Sequence, residues 1–128
     1  MKTTAERFPD KFRTWLTSVD PYQRGMAVSA VRLSCIVDTE VDDLLIQILG
    51  TDSEVSIRRE VVLTLLGRAD KKFWSALLER LQDEDWYVRG HAIIALKKLD
   101  ENYRSVPAIA TFLEQETHSF VRYCAGIM

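Results

Sequence analysis

The chain has 128 residues, a formal net charge of −2 and ordinary shares of apolar and charged residues, 47% and 28%. This length fits a single domain spanning residues 1–128, and the charge balance does not indicate a strongly basic nucleic-acid binder. No apolar run approaches the ~18 residues of a membrane helix. The first eight residues lack the apolar segment of a secretory signal, so we expect a cytoplasmic protein.

Helical periodicity runs along the chain, because apolar residues recur at spacings of three, four and seven. Pro9 and Pro21 suit the first turns of helices, whereas Gly50 and Gly67 suit helix ends. No alternation of β-branched residues predicts a strand. The pattern predicts four helix pairs: 9–18 with 21–36, 39–49 with 53–67, 70–82 with 86–99, and 103–115 with 118–127. The repeats then cover roughly 9–36, 39–67, 70–99 and 103–128.

One segment recurs along the chain, which is the mark of a repeat protein. Residues 83–96 read DEDWYVRGHAIIAL, and residues 52–65 read DSEVSIRREVVLTL. Residues 116–128 match the same pattern, and residues 21–33 match it more weakly. Four arginines anchor the alignment at spacings of 34, 31 and 33: Arg24, Arg58, Arg89 and Arg122.

These segments resemble HEAT repeats, and most nearly the short HEAT-like repeats of phycobilisome lyases. An acid, an apolar residue followed by arginine, and small residues at helical spacing carry the resemblance, best seen at Asp83, Val88, Arg89, Ala92 and Ala95. It covers about residues 20–128. The resemblance implies an all-α fold, a right-handed α-solenoid or α-α superhelix of about four helix pairs. It also implies that the second helix of each pair lines a concave face.

An acid precedes each of the last three anchor arginines by six residues. Each arginine can pair with that acid, in its own repeat or in the next one, and the acid also suits a helix N-terminus. The sequence therefore predicts a structural ladder along the inner turns. Its members are Asp52, Arg58, Asp83, Arg89, Glu116 and Arg122.

Helix phase predicts which residues of the second helices face away from the core. Leu63 and Ile94, five residues after their arginines, are then apolar on an outer surface, which marks an interaction site. The alternative is that the phase is shifted by one position and both residues are core. Aromatic residues just before the arginines are a second signal, since interface anchors are often aromatic. The predicted partner-binding residues are Arg59, Leu63, Trp86, His91, Ile94 and Lys97.

Charge divides unevenly between the helices. The second helices, counted with Arg68 directly after one of them, carry nine basic residues against two acidic ones, so a concave face that they line would be basic. An acidic protein segment is the expected partner, and nucleic-acid phosphates are the alternative. Ladder ion pairs and solvated helix ends explain the same charges without any ligand.

Catalytic and metal sites are not expected. Hydroxylases of the HEAT-like group carry His-Glu pairs after the arginine column, whereas this chain has Arg59-Glu60 and Gly90-His91. We expect no enzyme activity, no metal and no cofactor. A lyase-like enzyme subunit is the weaker alternative that the resemblance allows. Cys35 and Cys124 lie in apolar surroundings and are predicted to be reduced core thiols, although Cys124 near a helix start could be somewhat activated.

The final predicted helix is cut short at Met128, which leaves the last repeat without a polar cap. Repeat proteins need such caps for solubility. We therefore expect a partner or self-association at that end, or a shortened chain.

Overall fold

The computed structural model describes residues 8–127. Within this range the chain forms eight α-helices and three short 3₁₀ turns, and no strand. The helices are α1 (Asp10–Trp15), α2 (Pro21–Ser34), α3 (Thr39–Thr51), α4 (Val55–Arg68), α5 (Trp74–Glu79), α6 (Trp86–Leu99), α7 (Pro107–Gln115) and α8 (Ser119–Cys124). The predicted all-α fold of HEAT-like helix pairs is confirmed. Residues 1–7 and Met128, on which the signal-peptide and chain-end expectations partly rest, lie outside the described range.

Four helices are clearly shorter than predicted. The helix over 9–18 is α1, Asp10–Trp15, and the helix over 103–115 is the 3₁₀ turn Tyr103–Ser105 followed by α7, Pro107–Gln115. The predicted helix over 70–82 is α5 bracketed by two 3₁₀ turns, Lys71–Phe73 and Arg80–Gln82. The predicted helix over 118–127 ends at Cys124. Tight 3₁₀ hydrogen bonds commonly replace α-helical ones in the outer turns of a helix, which periodicity alone does not reveal.

Aspartates set the starts of three long helices. Asp20 accepts a hydrogen bond from the backbone N of Tyr22 at the start of α2, ahead of Pro21 in the first turn. Asp38 and Asp85 do the same for α3 and α6. Each carboxylate satisfies a backbone donor that the helix itself leaves unpaired.

The chain divides into two compact units, the first ending at Thr64 and the second beginning at Leu65. The prediction of a single domain stays a prediction. In the first unit, α1–α4 enclose an apolar core that includes Phe8, Leu16, Ala27, Val28, Val31, Leu45, Leu49 and Val61. In the second, α6 packs on α8, and the core includes Phe73, Leu77, Ala92, Ile93, Leu96, Ile109 and Val121.

Two helices end on a non-glycine residue in the left-handed region. Cys35 follows α2 with φ 59°, and Ala69 follows α4 with φ 51°. This conformation is typical of a helix C-terminus but costs an L-residue about 1–2 kcal/mol.

Ala69→Gly should therefore raise the free energy of unfolding by about 0.5–1 kcal/mol, measured by urea denaturation. Ala110→Gly, inside α7, should lower it by about 1 kcal/mol; a loss from both changes would contradict the argument.

The end of α8 is a Schellman motif, which corrects the expectation that this helix is cut off. Gly126, at φ 80°, donates to the carbonyl of Tyr123, and Ile127 donates to that of Arg122. The buried hydroxyl of Tyr103 donates to the carbonyl of Ala125 at 2.9 Å. These bonds satisfy carbonyls that a helix end leaves unpaired, so α8 stops by its own signal.

Candidate partner-binding face

Arg24 forms one of the ion pairs that join neighbouring repeats in the first unit. Its guanidinium holds both carboxylate oxygens of Asp52, at 2.8 and 3.0 Å. Another guanidinium nitrogen donates to the carbonyl of Ser18, six residues earlier. Arg58 repeats the second contact by donating to the carbonyl of Asp52 at 2.9 Å. Arg24 thus connects Ser18 and Asp52, two residues that lie far apart in the sequence.

Arg89 does the same in the second unit. It holds the two carboxylate oxygens of Glu116 at 2.9 and 3.2 Å, and it donates to the carbonyl of Asp83 at 3.0 Å. Burial alone would raise the pKa of Glu116. The hydrogen bonds from Arg89 and from the backbone N of His118 together have the larger effect, so the pKa of Glu116 is lowered. Arg122 donates to the carbonyl of Glu116 at 3.2 Å.

These contacts refine the predicted ladder. For Arg24 and Arg89 the carboxylate comes from the next repeat, whereas the arginine's own repeat supplies a backbone carbonyl. Asp83 is buried and lies 3.1 Å from Arg80, a contact that the repeat alignment did not suggest. Arg24 and Arg89 therefore connect adjacent repeats within their own units.

An aromatic cluster covers the surface where α6 meets α8. Trp86 stacks on the His118 ring, with centroids 4.9 Å apart and planes 6° from parallel, and meets Phe120 edge-on at 5.2 Å. Tyr87 stacks on His91 at 4.1 Å. Trp86 is still 38% exposed. The cluster holds an indole in a fixed orientation at the surface, where an aromatic side chain can act as an anchor for a partner.

Gly90 makes the cluster sterically feasible. A Cβ atom at this position would lie 2.4 Å from Cε2 of Phe120 and 3.3 Å from Sγ of Cys124. The missing side chain lets the Phe120 ring rest directly on α6. The sequence has a glycine directly after the anchor arginine, but no local signal indicated that the Phe120 ring would fill the space where a side chain would lie.

An apolar groove of about 500 Å³ continues the cluster along α8. Phe120, Tyr123 and Ile127 form its apolar walls, and Tyr123 is 73% exposed. The sequence pattern did not single out Tyr123 as a contact residue, although its position directly after Arg122 was a usable signal. The groove and the cluster together form the candidate binding face, defined by Trp86, His91, Phe120, Tyr123 and Ile127.

The predicted contact residues fall into both units. Arg59 and Leu63 are half-buried on α4, in the first unit. In the second, the structure brings Trp86 and His91 together in the cluster. Ile94 lies one turn further along α6 and is half-buried. It is therefore neither on an open surface nor fully in the core, which were the two alternatives for Leu63 and Ile94. Lys97 is exposed, and its ammonium donates to the carbonyl of Cys124 at 3.0 Å, which caps the end of α8.

The basic charge of the second helices is partly neutralised. Within their own units, Arg24 pairs with Asp52, Arg32 with Glu60 at 2.9 Å, and Arg89 with Glu116. Such pairs reduce the field that a phosphate backbone would meet. The described residues thus offer weaker support for a nucleic-acid interface than the charge count indicated.

The two cysteines differ, and the prediction of two core thiols is wrong for one of them. Cys35 is exposed, because it stands at the end of α2, whereas Cys124 is buried. Burial raises the pKa of the Cys124 thiol, despite the nearby Lys97 ammonium. Cys124 also closes α8 rather than starting it. Its thiol is therefore not activated, contrary to the sequence-based expectation.

Between residues 8 and 127, no group of three or more His, Cys, Asp or Glu side chains is placed to hold a metal ion. No helix in the same range has the length and apolar character to cross a membrane.

The family model for HEAT repeats matches residues 41–127, more than half of the chain. No curated protein and no solved structure matches the chain. The resemblance to HEAT repeats is thereby confirmed, and HEAT repeats generally serve as protein-interaction scaffolds. With its arginine ladder and its paired amphipathic helices, the chain belongs to the HEAT-repeat family.

Proposed function

We propose that this protein is a non-catalytic scaffold, an adaptor or inhibitor, that binds a protein partner through the candidate binding face of α6 and α8. The observation that carries the proposal is the exposed indole of Trp86, fixed between His118 and Phe120. Interface hot spots are typically such preorganised aromatic side chains, because little rotamer freedom is lost on binding.

The neighbouring groove specifies the kind of partner. Its surface is mostly apolar, and Arg122 is among the residues that line it. A segment with an aliphatic or aromatic side chain would fill the groove. A carboxylate on the same segment would suit the basic residues of the second helices, Lys97 and Lys98 among them. The partner proposed is therefore an acidic protein segment with an apolar anchor.

Trp86→Ala and Tyr123→Asp should each weaken partner binding by about 30-fold or more, since loss of a hot-spot aromatic costs about 2 kcal/mol. The protein is used as bait in lysate of its native host, and captured proteins are quantified by mass spectrometry. The affinity of the identified partner is then measured with purified proteins. Tyr22→Asp, an equally exposed aromatic of the first unit, is the control that should keep binding.

Circular dichroism must show unchanged helicity for all three variants. Equal capture by wild type, Trp86→Ala and Tyr123→Asp would reject this face as the binding site. Nucleic acid bound by wild type with an affinity that falls steeply with salt would favour the nucleic-acid alternative instead.

A further inference from the structure

The groove beside α8 lies on the face that α2 turns toward the next second helix. In the first unit, a groove between α2 and α4 is lined on the α2 side by residues three and two before Arg24 and one and five after it. These residues are Pro21, Tyr22, Gly25 and Ser29. The residues at the same four positions relative to Arg122 line the groove beside α8: Ser119, Phe120, Tyr123 and Ile127. The two grooves therefore occupy equivalent faces of their repeats.

On α2 and on α6, the second helix of the next repeat packs against this face. A Cβ atom on Gly25 would meet Cγ1 of Ile57, on α4, at 3.9 Å, and the Phe120 ring of α8 fills the space beside Gly90 of α6. The equivalent residue of α8 is Tyr123, which is 73% exposed. Helix α8 thus presents to solvent the surface on which α2 and α6 each receive a helix.

Arg122 is oriented as the other anchor arginines are. In each of Arg24, Arg58, Arg89 and Arg122, the Nη1 group donates to the carbonyl six residues earlier, at 2.9 to 3.2 Å. In Arg24 and Arg89, the Nε and Nη2 groups also hold both oxygens of a carboxylate from the next repeat. A guanidinium has five donors in a planar fork, so it can bind a carbonyl and a carboxylate together. Because Arg122 lines the groove of α8, this bidentate geometry is suited to a carboxylate that arrives there.

We propose that α8 binds a helix of a partner protein in the place that the next repeat takes on α2 and α6. Arg122 holds a carboxylate just ahead of that helix, and the groove receives an apolar side chain from it. The spacing follows from the two existing contacts, since Ile57 lies five residues after Asp52 and Phe120 lies four residues after Glu116. The partner segment is an Asp or Glu followed, four or five residues later in a helix, by an apolar residue. This inference rests on the proposed function and specifies the segment that its partner presents.

A second copy of the chain is poorly suited to this place. In its first repeat, the residue six before Arg24 is Ser18, which has no carboxylate. The acids of its later repeats are already bound within the chain: Asp52 by Arg24, Asp83 by Arg80 and Glu116 by Arg89. Charge complementarity therefore favours a helix of a different protein.

A peptide of residues 52–68 is the probe, because it carries both features, Asp52 and Ile57, outside a folded repeat. It is acetylated, stapled to hold the helix and labelled with fluorescein, and its binding to the full chain is measured by fluorescence anisotropy. The same peptide with Asp52→Asn should bind wild type about 10-fold more weakly, because a charge-assisted contact is lost. Arg122→Met should weaken binding of the first peptide by a similar factor and should no longer distinguish the two peptides. Arg32→Met, which removes the same charge from α2, should bind both peptides as wild type does.

The comparison of the two peptides leaves the protein unchanged, so it decides the question even if Arg122→Met disturbs α8. Equal binding of both peptides to wild type would overturn the inference, as would no binding at millimolar peptide concentrations. Dimers in sedimentation equilibrium that Tyr123→Asp dissociates would identify a second copy as the occupant, and would also overturn it.

The inference and the proposed function can fail separately. A lysate partner that Trp86→Ala releases but Arg122→Met retains would overturn the carboxylate contact and leave the proposed function intact. Discrimination between the two peptides through Arg122, with lysate capture that is the same for wild type, Trp86→Ala and Tyr123→Asp, would reject the proposed function alone.

Discussion

Replacing Arg89 by methionine should lower the free energy of unfolding by about 3–5 kcal/mol, because it leaves a buried carboxylate without its counter-ion. The Glu116 side chain is only 5% exposed and depends on two hydrogen bonds from Arg89. The same change also removes the donor to the carbonyl of Asp83. Urea denaturation followed by circular dichroism gives the free energy of unfolding directly.

A matched surface pair provides the control. Arg32 and Glu60 also form a guanidinium–carboxylate contact, but their side chains are 38% and 32% exposed. Arg32→Met should therefore cost no more than about 1 kcal/mol. The double variant Arg89→Met/Glu116→Met should regain most of the lost stability, because no buried charge remains. Equal losses from Arg89→Met and Arg32→Met would show that the ladder pair does not behave as a buried pair.

The Arg89–Glu116 pair also predicts that the stability contribution of Glu116 depends on pH in opposite ways in wild type and in Arg89→Met. In wild type the pKa of Glu116 lies below its ordinary value of 4.5. Its contribution to stability is therefore fully present above about pH 4.5 and is lost as pH falls through the folded pKa. In Arg89→Met, burial without the counter-ion should raise the pKa instead. That variant should gain stability relative to wild type when pH falls from 7 to 5.

Substituting Gly90 by alanine should destabilise the second unit by about 1–3 kcal/mol, although alanine favours helices. The added Cβ atom would lie 2.4 Å from the Phe120 ring, which cannot retreat freely because Trp86 packs against it. Thermal unfolding measures the loss. Tryptophan fluorescence should also change, since the displaced Phe120 ring disturbs the surroundings of Trp86.

Gly25 is the matching position in the first repeat, directly after Arg24, and it serves as the control. A Cβ atom there would meet its nearest neighbour, Cγ1 of Ile57, at an ordinary 3.9 Å. Gly25→Ala should then stabilise by up to about 1 kcal/mol. Phe120→Leu should relieve part of the penalty of Gly90→Ala in the double variant. A stabilising Gly90→Ala would mean that the ring has room to move.

Local sequence signals were sufficient for the order of the helices but not for all of their ends. The apolar spacings, the aspartates before helices and the prolines in first turns act within one or two turns of chain. They gave the helix Trp86–Leu99 with the same bounds as the structure, whereas the helices predicted over 9–18, 70–82, 103–115 and 118–127 are shorter in the structure. The repeat of anchor arginines likewise identified the family, because a repeat is a property of the sequence itself.

Tertiary structure decided what those arginines and aromatic residues contact. The sequence left open whether Arg89 would pair with Asp83 or Glu116, since both lie within reach of some packing of neighbouring repeats. It is the stacking of α8 on α6 that brings Glu116 to the guanidinium, and that also lays His118 on Trp86.

Tertiary packing also decided how much of each side chain is exposed. Helix phase states which way a side chain points, but the neighbouring helix determines how much of it is covered. Ile94 is half-buried because a neighbour covers that side, whereas Leu33 on α2 remains open. The sequence by itself therefore determined the helices, the repeat and the family. The ladder partners and the aromatic cluster required the packing, because each brings together residues far apart in the chain.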